Sequence, residues 1–284
     1  MIEGMELFAA LPDETRRLEA PAGVTDLHQL DLPDGIYEGM RTFADNRFLY
    51  LERHLSRAQR SAMDLGWSEP VDEQLLRRGL HEAATAFPGD ERLRLDIFEH
   101  PTTVLGVETR VLLALAPYRP VPAELMERGA RVGIAHGLGR MTPHIKRNEW
   151  IARRRGSGPG DRGCYEHLLV DDDRCILEGS SSNVFAVRDG ALLTAPAGML
   201  GGIQRGIFLE LAEREGVPVE LVAPRLDDIE RLDEMFLTSS SRAAVPIVEV
   251  EGQTVGSGRP GPVLHRLLAA YATVTAEARP ALDF

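Results

Sequence analysis

Ile145-Lys146-Arg147-Asn148, Glu178-Gly179-Ser180-Ser181-Ser182-Asn183 and Leu200-Gly201-Gly202-Ile203-Gln204-Arg205 lie within one stretch, Met141 to Arg205, and their reading decides the rest of the chain. The first piece offers an amine. The second offers a carboxylate ahead of a polar run, and the third a glycine turn opening an amphipathic helix with Ile203, Ile207, Leu211 and Ala212 at helical spacing. A helix opened by such a turn leaves backbone N–H groups at the positive end of its dipole, where a phosphate can bind. The turn is neither a Walker loop nor a dinucleotide fingerprint, so on its own it is also a plain helix entry. Glu178 alone reads equally as a loop acid among hydroxyls making local turn bonds. Ser239-Ser240-Ser241 reads the same way, as the end of a strand.

Lys146 is set apart by composition. It is the one lysine beside 31 arginines, the 32 basic residues less one. A guanidinium stays protonated and cannot form a Schiff base, so any such chemistry here must use Lys146. An arginine-rich composition also follows from a GC-rich genome, in which a surviving lysine marks either chance or a place where an amine is required.

Outward from this stretch, Gly35 to Phe43 alternates apolar and polar residues with a period of two and predicts a half-buried strand, followed by another over Arg47 to Leu51. Leu55, Ala58, Ala62 and Leu65 predict a helix stopped at Gly66, and a second helix is expected over 71–86. Arg92 to Phe98 and Thr109 to Ala116 read as strands. The proline-dense Pro117-Tyr118-Arg119-Pro120-Val121-Pro122 reads as an extended connection. Strands are expected at Ala130 to Ala135, Tyr165 to Val170, Cys175 to Leu177, Asn183 to Val187, Val219 to Val222 and Glu234 to Thr238, with a glycine-rich interruption at Gly156 to Gly160 and a last helix over Pro262 to Ala278. The expected class is α+β, with an N-terminal domain over 1–117, a linker over 118–124 and a C-terminal domain over 125–284. Each domain is expected to be a mostly antiparallel sheet or barrel with packed helices.

With 284 residues, 43% of them hydrophobic and 27% charged, the chain can bury a sizeable core. A net charge of -12 argues against nucleic acid as a partner, because phosphate contacts need clustered cations and the one dense run, Arg153-Arg154-Arg155, is short. Cys164 and Cys175 give neither a disulfide framework nor a metal spacing. The histidines show no paired metal spacing, so no metal is expected, and no Gly-x-Ser-x-Gly elbow surrounds a serine. No apolar run approaches the ~20 residues of a membrane span, and the N-terminus lacks a basic leader region, so a cytoplasmic protein is expected.

Several motifs in order resemble those of the fold-type IV pyridoxal-phosphate enzymes. They are Gly35-Ile36-Tyr37-Glu38-Gly39-Met40-Arg41, His54-Leu55-Ser56-Arg57, Ile145-Lys146, Glu178 to Phe185 and Leu200 to Arg205. That is the class IV aminotransferase family, with branched-chain aminotransferases, D-amino-acid aminotransferases and aminodeoxychorismate lyases. The resemblance implies pyridoxal 5'-phosphate held as a Schiff base on Lys146, which also moves the proton at the substrate Cα. It implies Glu178 at the ring nitrogen, and Arg57, the N–H groups of Ile203 and Gln204, and the Ser240 hydroxyl at the phosphate. On pattern alone Arg57 is a surface residue of its helix. Tyr37 and Arg41 match positions lining the substrate pocket.

The departures bear on specificity. Gln204 stands where the family usually has a threonine whose hydroxyl binds phosphate, and Trp150 stands near a usual tyrosine. Neither the tyrosine-x-arginine pair of branched-chain enzymes nor the arginine-x-histidine pair of D-amino-acid enzymes is complete in Arg92-Leu93-Arg94-Leu95 and Glu99-His100-Pro101-Thr102. Arg92 and Arg94 are equal candidates for the substrate carboxylate. The resemblance implies transfer of an amino group between an amino acid and a 2-oxo acid such as 2-oxoglutarate, in a homodimer. The alternatives are a lyase releasing pyruvate from aminodeoxychorismate and a non-catalytic cofactor-binding relative.

Overall fold

The computed structural model describes residues 5–20, 27–30, 32–44, 46–87, 89–156 and 163–282. Contacts divide the chain into two compact units. The first comprises Met1–Arg119, Ile145–Ala152 and Thr275–Phe284, and the second Pro120–His144 and Arg153–Val274.

The first unit contains β1 (Glu6–Ala10), β2 (Thr15–Leu18), β3 (Gly35–Phe43), β4 (Arg47–Phe48), α1 (Leu51–Asp64), α2 (Glu73–Ala86), β5 (Glu91–Val104) and β6 (Val107–Pro117). With Arg279–Pro280 at one edge, the strands form a seven-stranded sheet in the order Arg279–Pro280, β4, β3, β5, β6, β1, β2. Every pairing in it is antiparallel. Val111, Leu113 and Leu115 of β6 meet Leu55 and Ala58 of α1 and Leu76 and Leu80 of α2 in one core, while Leu112 and Ala114 turn to a smaller core on the other face. That is the two-residue alternation of a strand covered on both sides. The strand expected to reach Leu51 ends at Phe48, because Tyr50 takes a left-handed conformation (φ 50°) and α1 begins at Leu51.

The second unit contains α3 (Ala123–Arg128), β7 (Ala130–Ile134), β8 (Glu166–Val170), β9 (Ile176–Gly179), β10 (Asn183–Arg188), β11 (Ala191–Leu193), β12 (Val219–Glu220), β13 (Glu234–Ser239) and β14 (Ala243–Val250). Helix α4 (Glu149–Gly156) bridges the division; beyond Gly156, the glycine-rich run expected to Gly160 lies outside the described residues. The sheet order is β12, β11, β10, β13, β14, β7, β8, β9, and a further β9–β10 pairing closes six of these strands into a barrel. Three pairings are parallel: β11 with β12, β14 with β7 and β7 with β8. Strand β14 was not foreseen, since Pro246 within it argues against an inner strand. Asp189 and Gly190 turn β10 into β11 as a tight hairpin, with positive φ at both residues, 52° and 76°.

Helices α5 (Ile203–Arg214) and α6 (Pro262–Val274) cover this sheet. Phe185 and Phe236 stack at 5.2 Å on its helix-facing side, Phe208 of α5 lies 5.9 Å from Phe236, and Tyr271 of α6 lies 5.8 Å from Phe208. The alternate residues Val184, Ala186, Met235 and Leu237 belong to a separate core with Val132, Leu168 and Val245. No described helix is long and apolar enough to cross a membrane.

Candidate active site

In the first unit, the edge of β3 beyond its short pairing with β4 is covered by the backbone around Lys146. The Tyr37 N–H donates to the Lys146 carbonyl at 2.8 Å, the Asn148 N–H donates to the Gly35 carbonyl at 3.0 Å, and Ile36 forms an antiparallel bridge with Arg147. The Asn148 side chain completes the seam, accepting from Gly35 N–H at 3.0 Å and donating to the Pro33 carbonyl at 2.8 Å. This pairing fixes the lysine backbone against the strand that carries Tyr37.

Strand alternation then sorts the side chains. Tyr37 and Arg41 share one face of β3, next to the face of β5 that carries Arg92, Arg94 and Asp96. The Lys146 Nζ lies 4.5 Å from the centroid of the Tyr37 ring, and the Arg94 guanidinium lies 4.9 Å from the same ring. Arg94 also donates to Asp96 Oδ1 at 2.5 Å. Asp96 is buried, its Oδ2 has no hydrogen bond among the described residues, and burial outweighs the Arg94 charge and hydrogen bond, raising its pKa. Arg41 is engaged elsewhere, with its guanidinium 4.0 Å from the Phe43 ring and 4.1 Å from that of Tyr118.

Arg57 is on the other face, and it is not the surface residue its pattern suggested. It is 6% exposed, donating from Nε to Glu38 Oε1 at 2.8 Å and from Nη2 to Glu38 Oε2 at 2.5 Å. His54 Nδ1 lies 2.7 Å from the same Oε2. Burial alone would raise the Glu38 pKa, but the Arg57 charge and the His54 and Arg57 hydrogen bonds outweigh it and bring the carboxyl down to about 2. Burial lowers the His54 pKa despite its carboxylate partner. The neutral ring therefore donates from Nδ1 to an ionised Glu38.

In the second unit, Glu178 sits where the barrel closes, paired with Asn183 across β9 and β10. Its Oε1 accepts from Arg140 Nε at 2.6 Å and its Oε2 from the Leu200 N–H at 3.1 Å. Asn183 Nδ2 donates to the Leu200 carbonyl at 2.7 Å. The loop leading into α5 is thus held from both sides by the two residues of the closing pair. Gly202 is needed there, because a Cβ at that position would run into Asn183 Oδ1. Helix α5 begins without a side-chain cap and without an acidic residue in its first turn, and the first-turn N–H groups of Ile203 and Gln204 have no acceptor within the helix.

The Ser180–Ser182 turn is tied to the turn carrying Ser240. Glu166 Oε1 accepts from the Ser181 N–H at 2.6 Å and the Ser182 hydroxyl at 2.8 Å, while its Oε2 accepts from Arg242 Nη1 at 2.8 Å. Arg242 donates onward from Nε to the Ser239 hydroxyl at 2.8 Å and from Nη2 to the Ser181 hydroxyl at 3.0 Å. Burial would raise the Glu166 pKa, but the Arg242 charge and these hydrogen bonds lower it instead.

Glu38, His54, Arg140, Glu166 and Arg242 were missed in the sequence. For two of them a signal existed, since Glu38 is in phase with Ile36 and Met40, and Glu166 with Leu168, all at buried positions. Among the described residues, no group of His, Cys, Asp or Glu is placed to hold a metal ion.

The profile of the family described as Amino-transferase class IV matches residues 35–250, a span taking in Lys146, Glu178, Arg57 and the start of α5. The chain belongs to that family. A branched-chain-amino-acid aminotransferase of Pseudomonas aeruginosa is 27% identical to this class IV aminotransferase over 267 residues, covering 86% of this chain and 85% of the relative. A D-alanine aminotransferase of Bacillus licheniformis is also 27% identical, over 251 residues, covering 84% of this chain and 86% of the relative. The structure of the branched-chain aminotransferase of Thermoproteus uzoniensis with norvaline shares the fold, with a TM-score of 0.76 at 23% identity over 98% of this chain and 99% of that one. The α+β expectation holds. The enzyme is a pyridoxal-phosphate-dependent aminotransferase acting on an amino acid and a 2-oxo acid. Each by its own chemistry, the single lysine as an amine, the buried Glu178 carboxylate and the uncapped start of α5 are groups of the kind that cofactor needs.

Proposed function

We propose that this aminotransferase moves an amino group between an amino acid of the branched-chain L- or D-amino-acid class and a 2-oxo acid such as 2-oxoglutarate. The meeting of Lys146 and Arg94 on the Tyr37 ring carries the reading. It pairs an amine able to move a proton with a guanidinium able to hold an α-carboxylate by two parallel hydrogen bonds. That geometry favours Arg94 over Arg92 as the carboxylate anchor. Tyr37 and Arg41 line the substrate, with Arg41 held by its aromatic neighbours.

Bound pyridoxal phosphate supplies the electron sink that makes the substrate Cα proton labile. Lys146 carries that proton. Glu178, paired with Arg140, would hold the cofactor's ring nitrogen and keep the ring an electron sink. Arg57, the N–H groups of Ile203 and Gln204, and the Ser240 hydroxyl hold the phosphate. We also propose a cytoplasmic homodimer, supported by the family resemblance; elution at monomer size would contradict the dimer.

The test is the visible spectrum of the purified protein before and after borohydride, with peptide mapping of the product. Cofactor fixed on Lys146 is the expected result, and a colourless protein that takes up no pyridoxal phosphate would end the reading. Adding L-leucine or D-alanine without a 2-oxo acid should then shift the visible band for the accepted donor. A band unmoved by either would remove the proposed substrate class.

A further inference from the structure

We infer that the Gln204 side-chain amide is itself a phosphate donor, replacing the hydroxyl that its position lacks; this rests on the cofactor reading above. Gln204 occupies the first turn of α5 and is 3% exposed. Among the described residues its Nε2 has no hydrogen-bond partner. A buried amide donor without an acceptor is costly, and a native fold keeps one where something else accepts from it.

The surroundings give the sign of that acceptor. The helix start presents a positive dipole end, with no side-chain cap and no acidic residue in its first turn. Arg205, the next residue, adds a cation at the end of the helix where a cation is disfavoured, and its guanidinium is tied to the Thr194 hydroxyl at 3.2 Å and the Ala195 carbonyl at 2.9 Å. Dipole end, orphan amide and misplaced cation all favour an anion. The Gln204 backbone N–H and its Nε2 give one residue two donors to a phosphomonoester.

The experiment compares the full-length protein, stripped of cofactor, with its Gln204→Leu, Gln204→Glu and Gln204→Thr variants. Pyridoxal 5'-phosphate and pyridoxal, which lacks the phosphate, are titrated into each. Gln204→Leu should weaken pyridoxal phosphate about tenfold or more, leave pyridoxal within about twofold, and raise the melting temperature of the stripped protein, because the orphan donor is gone. Gln204→Glu, nearly the same shape with a negative charge, should abolish the preference for the phosphorylated ligand even if the leucine variant folds poorly. Gln204→Thr should keep the preference. Equal losses for both ligands, or an unchanged preference in the Leu and Glu variants, would overturn the inference while leaving the cofactor reading intact. A wild-type protein that binds neither ligand would overturn both.

Discussion

Glu178 and Asn183 face each other across the single residue pair that closes the barrel, and both also grip Leu200, one at its N–H and the other at its carbonyl. The carboxylate proposed for the ring nitrogen and the loop opening the helix proposed for the phosphate are therefore positioned by one element. Asn183→Ala removes the grip on the carbonyl without touching Glu178. It should cost about 1 kcal/mol of stability and weaken cofactor binding, read by thermal melts and by absorbance titration. Unchanged cofactor affinity would show that Glu178 alone positions the loop.

Glu178→Gln should slow Cα proton removal while the cofactor stays bound, because an amide cannot carry the charge that balances a protonated ring nitrogen. Turnover should fall about a hundredfold or more, with the loss in single-turnover rate. A wild-type rate would mean that Glu178 does not touch the ring.

Lys146→Ala should abolish turnover, a loss of at least about a thousandfold, and leave the melting temperature near that of the parent. The fold keeps Lys146 by its carbonyl, which accepts from Tyr37 N–H, and the variant retains that group. Activity close to wild type would remove the mechanism.

Acid should destabilise the first unit in two steps. Glu38 stays ionised in the fold down to about 2, whereas the unfolded chain takes up a proton near 4.5, so its contribution is complete above 4.5 and is lost as the pH falls toward 2. The His54 pKa is lowered from 6.5, so the unfolded chain gains a proton first and stability begins to fall below 6.5. Glu38→Ala, which leaves the buried Arg57 unpaired, should cost about 3–5 kcal/mol near pH 7 in denaturant melts. The gap to wild type should narrow toward pH 2.

Arg94→Ala should raise KM for the amino donor about thirtyfold or more, and Arg92→Ala far less, in steady-state assays. Asp96 has the opposite pH sign to Glu38, since a raised pKa gives stability at low pH that is lost as the pH rises through the folded value. Asp96→Asn should therefore raise the melting temperature at pH 7, with the difference vanishing below about 3.8.

Much of the fold was legible because its strands and helices carry clean periods. Gly35–Phe43 carries a strand period, although only its second half alternates in burial and Gly35 to Glu38 are all buried, and Asp189-Gly190 meets the backbone demands of a tight hairpin. Parallel pairings such as β7 with β8 were not legible, since periodicity records which face of a strand is buried and not its neighbour. The charged network was half legible. Lys146 stood out as the one amine and Glu178 by its motif, whereas Arg57 looked solvated because its partner, Glu38, is 19 positions away on another element. Arg242 gave no signal, because its value to the fold depends on Glu166 and Ser181, which only the closed barrel brings within reach.

The seam of Lys146 to Asn148 along β3 also covers an otherwise exposed strand edge. Without it, the Gly35 to Tyr37 edge would present unpaired N–H and carbonyl groups of a long apolar strand, the template on which chains add to one another. A substitution that loosens this segment, Asn148→Ala for instance, should lead to clumping at concentrations where the parent stays dispersed. The residue proposed to do the chemistry sits on the strip that covers this strand edge.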